Sequence, residues 1–262
     1  MGLSAGARAA GVHPGSEVAL RAEDLAGLGP GLAVDLGCGG GNMAKAIKRE
    51  RPHLTVEGVD MSHFAIDWAR RAPEGVEFRL ASTSRLPYDD ASVSVVTMFD
   101  VFEHVEDPPQ VLSEIARVLK PGGLFHLAVP LEDQPWTIYR LVRAGRWWKS
   151  KLRHGGHIQA FSDRDIRELL AEAGLRLVRV RWSYHHLFAM LDVAYFTYLD
   201  LRGPVSSSVE DYVVGRGGWR SVVWAIVTGM GWYEARLFRW MKGGCGHFTS
   251  VKAVAGGRGV SR

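Results

Sequence analysis

A glycine-rich stretch at residues 32–42, LAVDLGCGGGN, carries the clearest chemical signal in the sequence. Apolar residues run into Asp35, and glycines then occupy positions 37, 39, 40 and 41, a pattern that predicts a strand turning sharply into a helix. Glycines permit positive φ at such a turn and let a ligand touch the backbone, while the first amides of the helix point at that ligand. We therefore expect this loop to hold a nucleotide-like cofactor.

The glycine spacing leaves two classes of cofactor to consider. The stretch fits the dinucleotide fingerprint G-x-G-x-x-G at Gly37 and Gly39, but Asn42 stands at the third glycine position. The carboxylate of Asp35 directly precedes the loop, where it would repel a pyrophosphate and attract a cation. The carboxylate favours a positively charged cofactor, and Asn42 makes a dehydrogenase the less favoured alternative.

The same stretch resembles motif I, D-x-G-x-G-x-G, of the class I S-adenosylmethionine-dependent methyltransferases, with Asp35, Gly37, Gly39 and Gly41 at the defined positions. Three later segments resemble that family as well. They are LPY at residues 86–88, EHVEDP at residues 103–108 and RVLKPGG at residues 117–123. Four segments in the family's order over residues 33–130 argue against a chance match.

The resemblance implies S-adenosylmethionine as the cofactor and methyl transfer to a nucleophile by in-line displacement at the sulfonium carbon, a step that needs no metal. Asp60 ends the second predicted strand, about 20 residues past the glycines, where an acidic side chain can accept hydrogen bonds from both ribose hydroxyls. Its alternative role, capping the next helix, is one that Ser62 could fill. The cofactor-binding residues implied in this way are Asp35, Gly37, Cys38, Gly39, Gly41, Asp60, Met61, Ser82, Thr83 and Phe99.

Two positions depart from the family pattern. Ser82 stands where an Asp usually receives the adenine amino group, and Ser94 stands where the fourth strand usually has an Asp. A serine hydroxyl accepts a hydrogen bond without the charge-assisted strength of a carboxylate. We therefore expect weaker recognition of adenine. The same two departures are the only support in the sequence for a non-catalytic interaction module.

Two histidines are candidates for removing a proton from the methyl acceptor. An imidazole titrates near neutral pH, so His104 or His157 could act as a general base toward a phenol or an enol. His104 is the first candidate because it follows the fourth predicted strand at the ligand face, and the Glu103–His104 pair resembles that of quinone-biosynthesis O-methyltransferases. Each histidine could instead fix its own loop by a hydrogen bond.

The elements that must position these residues alternate between strands and helices. Helices are predicted at 43–50, 62–71, from Asp107 to Leu119 and at 163–173, and strands at 54–60, 76–80, 175–182 and 247–254. In the second of these helices, we expect Phe64, Ala65 and Trp68 to face inward. The alternation predicts an α/β fold of the Rossmann-like, doubly wound type, with seven strands and a helical insertion before the last strand.

The chain divides into four predicted parts. These are an N-terminal helical arm at residues 1–30, a methyltransferase core at 31–183, a helical, aromatic insertion that covers the substrate at 184–246, and a final strand and tail at 247–262. The arm lacks a sustained apolar run and is not expected to be a signal peptide. The apolar run at residues 221–230 is too short for a membrane span of roughly 20 residues.

Composition favours a globular, cytoplasmic protein, and the sequence also allows a peripheral contact with a membrane. Of 262 residues, 47% are hydrophobic and 23% charged, and neither of the two cysteines belongs to a disulfide or metal-binding pattern. We predict no metal site.

The charge and the aromatic segments leave the methyl acceptor open. An apolar or lipid-like small molecule is favoured because residues 184–242 are rich in aromatic and apolar side chains. RNA is the alternative, supported by a net charge of +4 and by the basic, aromatic stretch at residues 131–156, which includes Trp136, Tyr139, Arg140 and Arg143. That stretch could equally be a solvated helix with its aromatic residues packed on the core.

Overall fold

The computed structural model describes residues 29–143, 149–150, 156–183 and 187–202, and residues 229–254 apart from 231–232, 235 and 239. The predicted arm helix, most of the insertion and the tail after residue 254 lie outside the described residues. So do Trp147, Trp148, Arg146, Lys151 and Arg153 of the basic, aromatic stretch.

Seven described strands form one mixed sheet in the order β3-β2-β1-β4-β5-β7-β6. Strands β1 to β5 pair in parallel, and β7 lies antiparallel between β5 and β6. Their bounds are β1 Leu32–Leu36, β2 Thr55–Asp60, β3 Glu77–Leu80, β4 Val93–Phe99, β5 Leu119–Pro130, β6 Leu175–Ser183 and β7 Cys245–Lys252. The predicted Rossmann-like, seven-stranded fold is confirmed, with β7 beginning two residues earlier than expected.

Helices follow the strands, and two of them begin with side-chain caps. Their bounds are α1 Asn42–Glu50, α2 His63–Ala69, α3 Pro108–Val118, α4 Ile138–Val142, α5 Asp163–Glu172 and α6 Leu187–Arg202, with a 3₁₀ turn at Phe102–His104. Asp107 caps α3 by accepting from Gln110 N, and Ser162 and Asp165 form a reciprocal capping box on α5. These side chains satisfy amide groups that a helix start leaves without partners.

Both faces of the sheet are covered by apolar cores. Along β1 the buried residues alternate, because successive side chains of a strand point to opposite faces. Val34 and Leu36 pack into the core that contains α3 and α5, while Ala33 packs into the core that contains α1 and α2. The strand carrying Asp35 is therefore fixed from both sides, which also fixes the start of the glycine loop.

The predicted inward face of α2 is wrong. Phe64 and Trp68 are 76% and 54% exposed, whereas Ile66 and Ala69 are buried against the sheet. Residues three or four positions apart share one face of a helix, so the two pairs define two different stripes. The stripe with the smaller side chains packs on the strands, and the aromatic stripe faces outward.

The connection order places a crevice at the carboxyl end of β1. Strand β1 lies between β2 and β4. The chain passes from β1 to β2 and β3 on one side, and then crosses to β4 on the other side of β1. In doubly wound sheets, ligands bind at such a switch point. The glycine loop follows β1, and the 3₁₀ turn with His104 follows β4.

Part of the predicted insertion is helical, since α6 lies within it. Among the described residues, none of the helices is both long enough and apolar enough to cross a membrane.

Candidate functional site

The glycine loop after β1 is held by the end of β2. The amides of Gly37 and Cys38 both donate to Val59 O, at 2.7 and 3.0 Å. Gly37 and Gly41 have φ of 70° and 80°, a region that favours glycine, and a Cβ at these positions would collide with Val101 and with the ring of Phe78. The loop therefore requires glycine for both backbone and packing reasons.

Gly39 has a different surrounding. Its φ is 51°, but a Cβ built on it would meet nothing within 4 Å. Its amide donates to Asp60 Oδ2 at 2.9 Å. Gly39 thus lies at the open side of the loop, where a ligand can approach the backbone.

Asp60 joins the loops that follow β1 and β2. Besides accepting from Gly39 N, it accepts from Ser62 N through Oδ1 at 2.8 Å. Ser62, and not Asp60, caps α2 by accepting from Ala65 N, as the sequence suggested. Each carboxylate oxygen has a further lone pair for a ligand. Asp60 therefore keeps the capacity to accept two hydroxyl groups at the rim of the crevice.

Asp35 is buried beneath the loop. It is 2% exposed, and Thr97 of β4, its partner in the strand register, donates to Asp35 Oδ1 at 2.7 Å. Burial raises the pKa of Asp35 to about 7, although hydrogen bonds from Thr97 and from the Ala44 amide act in the opposite direction. The carboxylate therefore lies beneath the loop, where burial favours its neutral form and strengthens its interaction with any cation bound above it.

Cys38 supports the loop from inside. Its thiol is buried, its carbonyl accepts from Gly41 N at 2.8 Å, and burial raises the pKa of the thiol well above its usual range. Both of its backbone groups also bond within the protein, which fixes the shape of the loop.

The remaining predicted cofactor residues lie along the rim. Met61, directly after Asp60, is 80% exposed. Ala81 N donates to Asp60 O, which brings the following residues, Ser82 and Thr83, to the same rim. The Ser82 hydroxyl lies 2.8 Å from that of Ser84. Phe99, at the end of β4, is half-buried.

A second group of side chains lies on the other side of the crevice, at the ends of β4 and β5. His104 Nδ1 lies 2.9 Å from Gly156 O, and the His104 and His157 rings meet edge-on with centroids 4.9 Å apart. The amides of Ile158 and Gln159 both donate to Glu103 O. The two predicted catalytic histidines are therefore brought together, although they are far apart in the sequence.

Two buried carboxylates accompany these histidines. Glu103 and Glu132 are 1% and 0% exposed. His157 Nδ1 lies 3.0 Å from Glu132 Oε1, an ion-pair distance at which the angle falls short of a hydrogen bond. Burial is the main cause that lowers the pKa of His104. Burial thus favours the neutral form of His104, which has a lone pair that can accept a proton.

The two chain segments that flank the crevice are in direct contact. Val101, which a Cβ at Gly37 would strike, lies between the end of β4 and the 3₁₀ turn that carries His104. The glycine loop and the histidine segment therefore have a fixed spacing.

Comparison with known proteins identifies the family. A model described as a methyltransferase domain matches residues 21–180. The chain belongs to the class I S-adenosylmethionine-dependent methyltransferases. The predictions of the family and of S-adenosylmethionine as its cofactor are thereby confirmed.

Two curated relatives of this methyltransferase are quinone-biosynthesis enzymes. A ubiquinone/menaquinone biosynthesis C-methyltransferase of Desulfotalea psychrophila is 34% identical over 97 residues, which are 36% of this chain and 39% of that protein. A ubiquinone biosynthesis O-methyltransferase of Coxiella burnetii is 26% identical over 159 residues, 58% of this chain and 67% of that protein. The chain thus spans about two fifths of the first relative's length and two thirds of the second's.

Among solved structures, the methyltransferase is similar to geranyl diphosphate C-methyltransferase from Streptomyces coelicolor. The two superpose with a TM-score of 0.57 at 20% identity, over 88% of this chain and 77% of that one. At this identity the likeness concerns the fold.

The residues present in the methyltransferase fit S-adenosylmethionine. Gly39 leaves open space above the loop, Asp60 offers carboxylate oxygens at its rim, and Asp35 places an ionisable carboxylate beneath it. Asn42, where a dinucleotide-binding loop has its third glycine, is the first residue of α1.

Sequence reasoning missed three residues that shape the site. Thr97 is a polar residue within an apolar strand. This pattern could have revealed it, because a buried polar side chain needs a hydrogen-bond partner. Glu132 and Gly156 had no comparable signal, since their roles depend on contacts with His157 and His104 across the fold.

Gly39→Ala should weaken binding of S-adenosylmethionine at least tenfold in calorimetric titration, because the added methyl group occupies the open space above the loop. Gly122→Ala is the matched control. Gly122 also has positive φ and an empty Cβ position. It lies in the turn at the start of β5, whereas the glycine loop lies at the carboxyl ends of the strands. Both variants should lose about 1–2 kcal/mol of stability. Equal cofactor affinity in the two variants would refute the assignment of Gly39.

The raised pKa of Asp35 predicts a pH dependence of stability. The folded protein holds a proton that the unfolded chain, with an Asp pKa of about 3.9, releases. The contribution of this bound proton to the free energy of unfolding is therefore full below about pH 4, and it is lost as the pH rises through about 7. Asp35→Asn should gain stability relative to the wild type, by a few kcal/mol, between about pH 5 and pH 8 in urea denaturation. A constant difference across this range would contradict the argument.

Proposed function

We propose that this protein transfers a methyl group from S-adenosylmethionine to an apolar, lipid-like small molecule. The observation that carries the proposal is the contact of Gly37 with Val101, which sets a cofactor loop beside a histidine and carboxylate cluster. When bound, S-adenosylmethionine supplies an electrophilic methyl group on a sulfonium, and in-line attack on it is the expected geometry.

The cofactor side uses the glycine loop and two carboxylates. Asp60 accepts the ribose hydroxyls, and its bonds to Gly39 N and Ser62 N hold it in place for that role. Asp35, ionised when a cation lies above the loop, complements the positive charge through a medium of low polarity. Ser82, whose hydroxyl already contacts that of Ser84, gives the adenine a weaker partner than a carboxylate would.

The acceptor side offers a base. His104 is the first candidate, because its side chain is 39% exposed, whereas that of His157 is 10% exposed. A neutral imidazole at the crevice can take the proton of a phenol or enol as the oxygen attacks. Alignment of the two reactants and exclusion of water account for much of the remaining acceleration, at best about 7–11 kcal/mol.

Two observations support an apolar acceptor. Both curated relatives act in quinone biosynthesis according to their names. On α6, within the predicted cover, Met190 and Leu201 are 57% and 76% exposed. Side chains of this kind suit an apolar ligand or a lipid surface.

RNA is less well supported as an acceptor. Of the basic residues in the described part of the 131–156 stretch, Arg140 and Arg143 both form ion pairs with Asp133. Their charge is therefore partly neutralised, although Trp136 is 97% exposed and could stack on a base.

A methyl-transfer assay tests the acceptor class. The protein is incubated with S-adenosylmethionine labelled in its methyl group, and with either a lipid extract or total RNA. We expect label in the lipid extract, followed by transfer to a quinol or phenol when single compounds are tested. Label in RNA alone would overturn the small-molecule proposal, and label in neither fraction would favour a non-catalytic module.

His104→Ala should lower kcat by about 10²–10⁴-fold, the usual contribution of a positioned base, while the affinity for S-adenosylmethionine stays the same. His53→Ala is the control, because His53 is exposed in the loop between α1 and β2, at the other edge of the sheet. Full activity of His104→Ala would reject it as the base.

A further inference from the structure

We propose that Glu103, His104 and His157 bind a single divalent transition-metal ion. Each of these residues offers one ligand atom, and the three atoms lie within 4.8 Å of one another. The group lies at the ends of β4 and β5, beside the crevice and across Val101 from the glycine loop. Sequence spacing gave no sign of this site, because His157 joins the other two ligands only in the folded chain.

The hydrogen bond of His104 leaves a lone pair for a metal. A backbone carbonyl can only accept a hydrogen bond, so the Nδ1 atom that lies 2.9 Å from Gly156 O carries the proton. In a neutral imidazole the other nitrogen, Nε2, then has a free lone pair. Nε2 is also the atom on the side of Glu103, 3.9 Å from Oε1.

His157 also has an outer partner, a carboxylate at ion-pair distance rather than in a hydrogen bond. Its Nδ1 lies 3.0 Å from Glu132 Oε1, and a carboxylate favours the form that has its proton on that nitrogen. Histidines that bind metals almost always present their other ring nitrogen to a carboxylate or a carbonyl. His104 and His157 thus each have the outer partner that is typical of a metal ligand.

The backbone around the three ligands is fixed. Glu103 O accepts from the amides of Ile158 and Gln159, and Gln159 Nε2 donates to Val105 O at 3.2 Å. The rings of Phe102, next to Glu103, and of Phe161 stack in the core, with centroids 5.2 Å apart. The segments that carry His104 and His157 are therefore held together before any ion binds.

Two nitrogens and one carboxylate oxygen suit Zn²⁺ or Mn²⁺ better than Mg²⁺ or Ca²⁺, which prefer oxygen ligands alone. Metal–ligand distances of about 2.0–2.2 Å place ligand atoms roughly 3–3.5 Å apart, so the side chains must close around the ion. His104, at 39% exposure, has room to do so. Three protein ligands also leave a coordination position open toward the crevice.

The open position gives the ion a use in the reaction. A hydroxyl group bound there would release its proton to water more easily, because a cation stabilises the oxyanion. The ion would then replace His104 as the group that activates the acceptor. This use rests on the proposed function, whereas the binding of the ion does not.

The test is a metal titration of the untagged protein after dialysis against a chelator, with neither cofactor nor acceptor present. Zn²⁺ and Mn²⁺ are titrated separately and followed by calorimetry, and the visible spectrum of bound Co²⁺ reports nitrogen ligation. We expect one saturable site per chain. Glu103→Gln and His157→Gln should each weaken binding at least a hundredfold, and Glu132→Gln by about 10–100-fold.

His53→Gln is the matched control, since it removes an exposed histidine outside the cluster and should leave binding unchanged. Circular dichroism confirms that each variant is folded. Absence of saturable binding to the wild type would overturn the proposal, whatever the variants do. Wild-type affinity in both Glu103→Gln and His157→Gln would also overturn it. Saturable binding with equal methyl transfer by metal-free and metal-loaded protein would keep the site and remove only its catalytic use.

Discussion

The packing of Gly37 against Val101 is the constraint on which the site depends. It brings the loop after β1 into contact with the segment after β4, with no room for a side chain at position 37. The glycine loop, Asp35 and Asp60 lie on one side of this contact, and the histidines and their carboxylates lie on the other. Because methyl transfer requires the two reactants to be aligned closely, a fixed spacing between these two sides is the main contribution that the fold makes.

Burial determines the electrostatics on both sides of the contact. Asp35 lies beneath the glycine loop, where loss of water raises its pKa to about 7. Glu103 and Glu132 lie beneath the histidines and are almost fully buried. Carboxylates in such places interact strongly with a nearby cation, since little water screens them. The site thus holds acidic groups away from solvent, where they can interact strongly with a positively charged ligand.

Much of the fold and of the cofactor side could be predicted from the sequence, because local patterns specify them. The glycines after β1, the caps of α3 and α5 and the register of Asp60 with the loop are all features of short segments. Phe64 and Trp68 were placed wrongly because two stripes of α2 are apolar, and only the packing of the helix on the sheet decides between them.

The acceptor side was less predictable because it depends on contacts between distant segments. The sequence indicated His104 and His157 separately, but their contact with each other, and that of His157 with Glu132, exist only in the folded chain. The burial of Asp35 depends likewise on β4, which supplies Thr97. A residue's charge and tautomer are therefore harder to predict than its position on a strand or helix.

Calorimetric titration with S-adenosylmethionine, S-adenosylhomocysteine and NADH tests the account most directly, using the wild type, Asp60→Ala and the control Asp67→Ala. Asp67 is an exposed carboxylate on α2, so the control removes the same charge without touching the loop. The account predicts saturable binding of the first two ligands and none of NADH, with at least tenfold weaker binding in Asp60→Ala and wild-type affinity in Asp67→Ala. Binding of NADH, or wild-type affinity in Asp60→Ala, would contradict it.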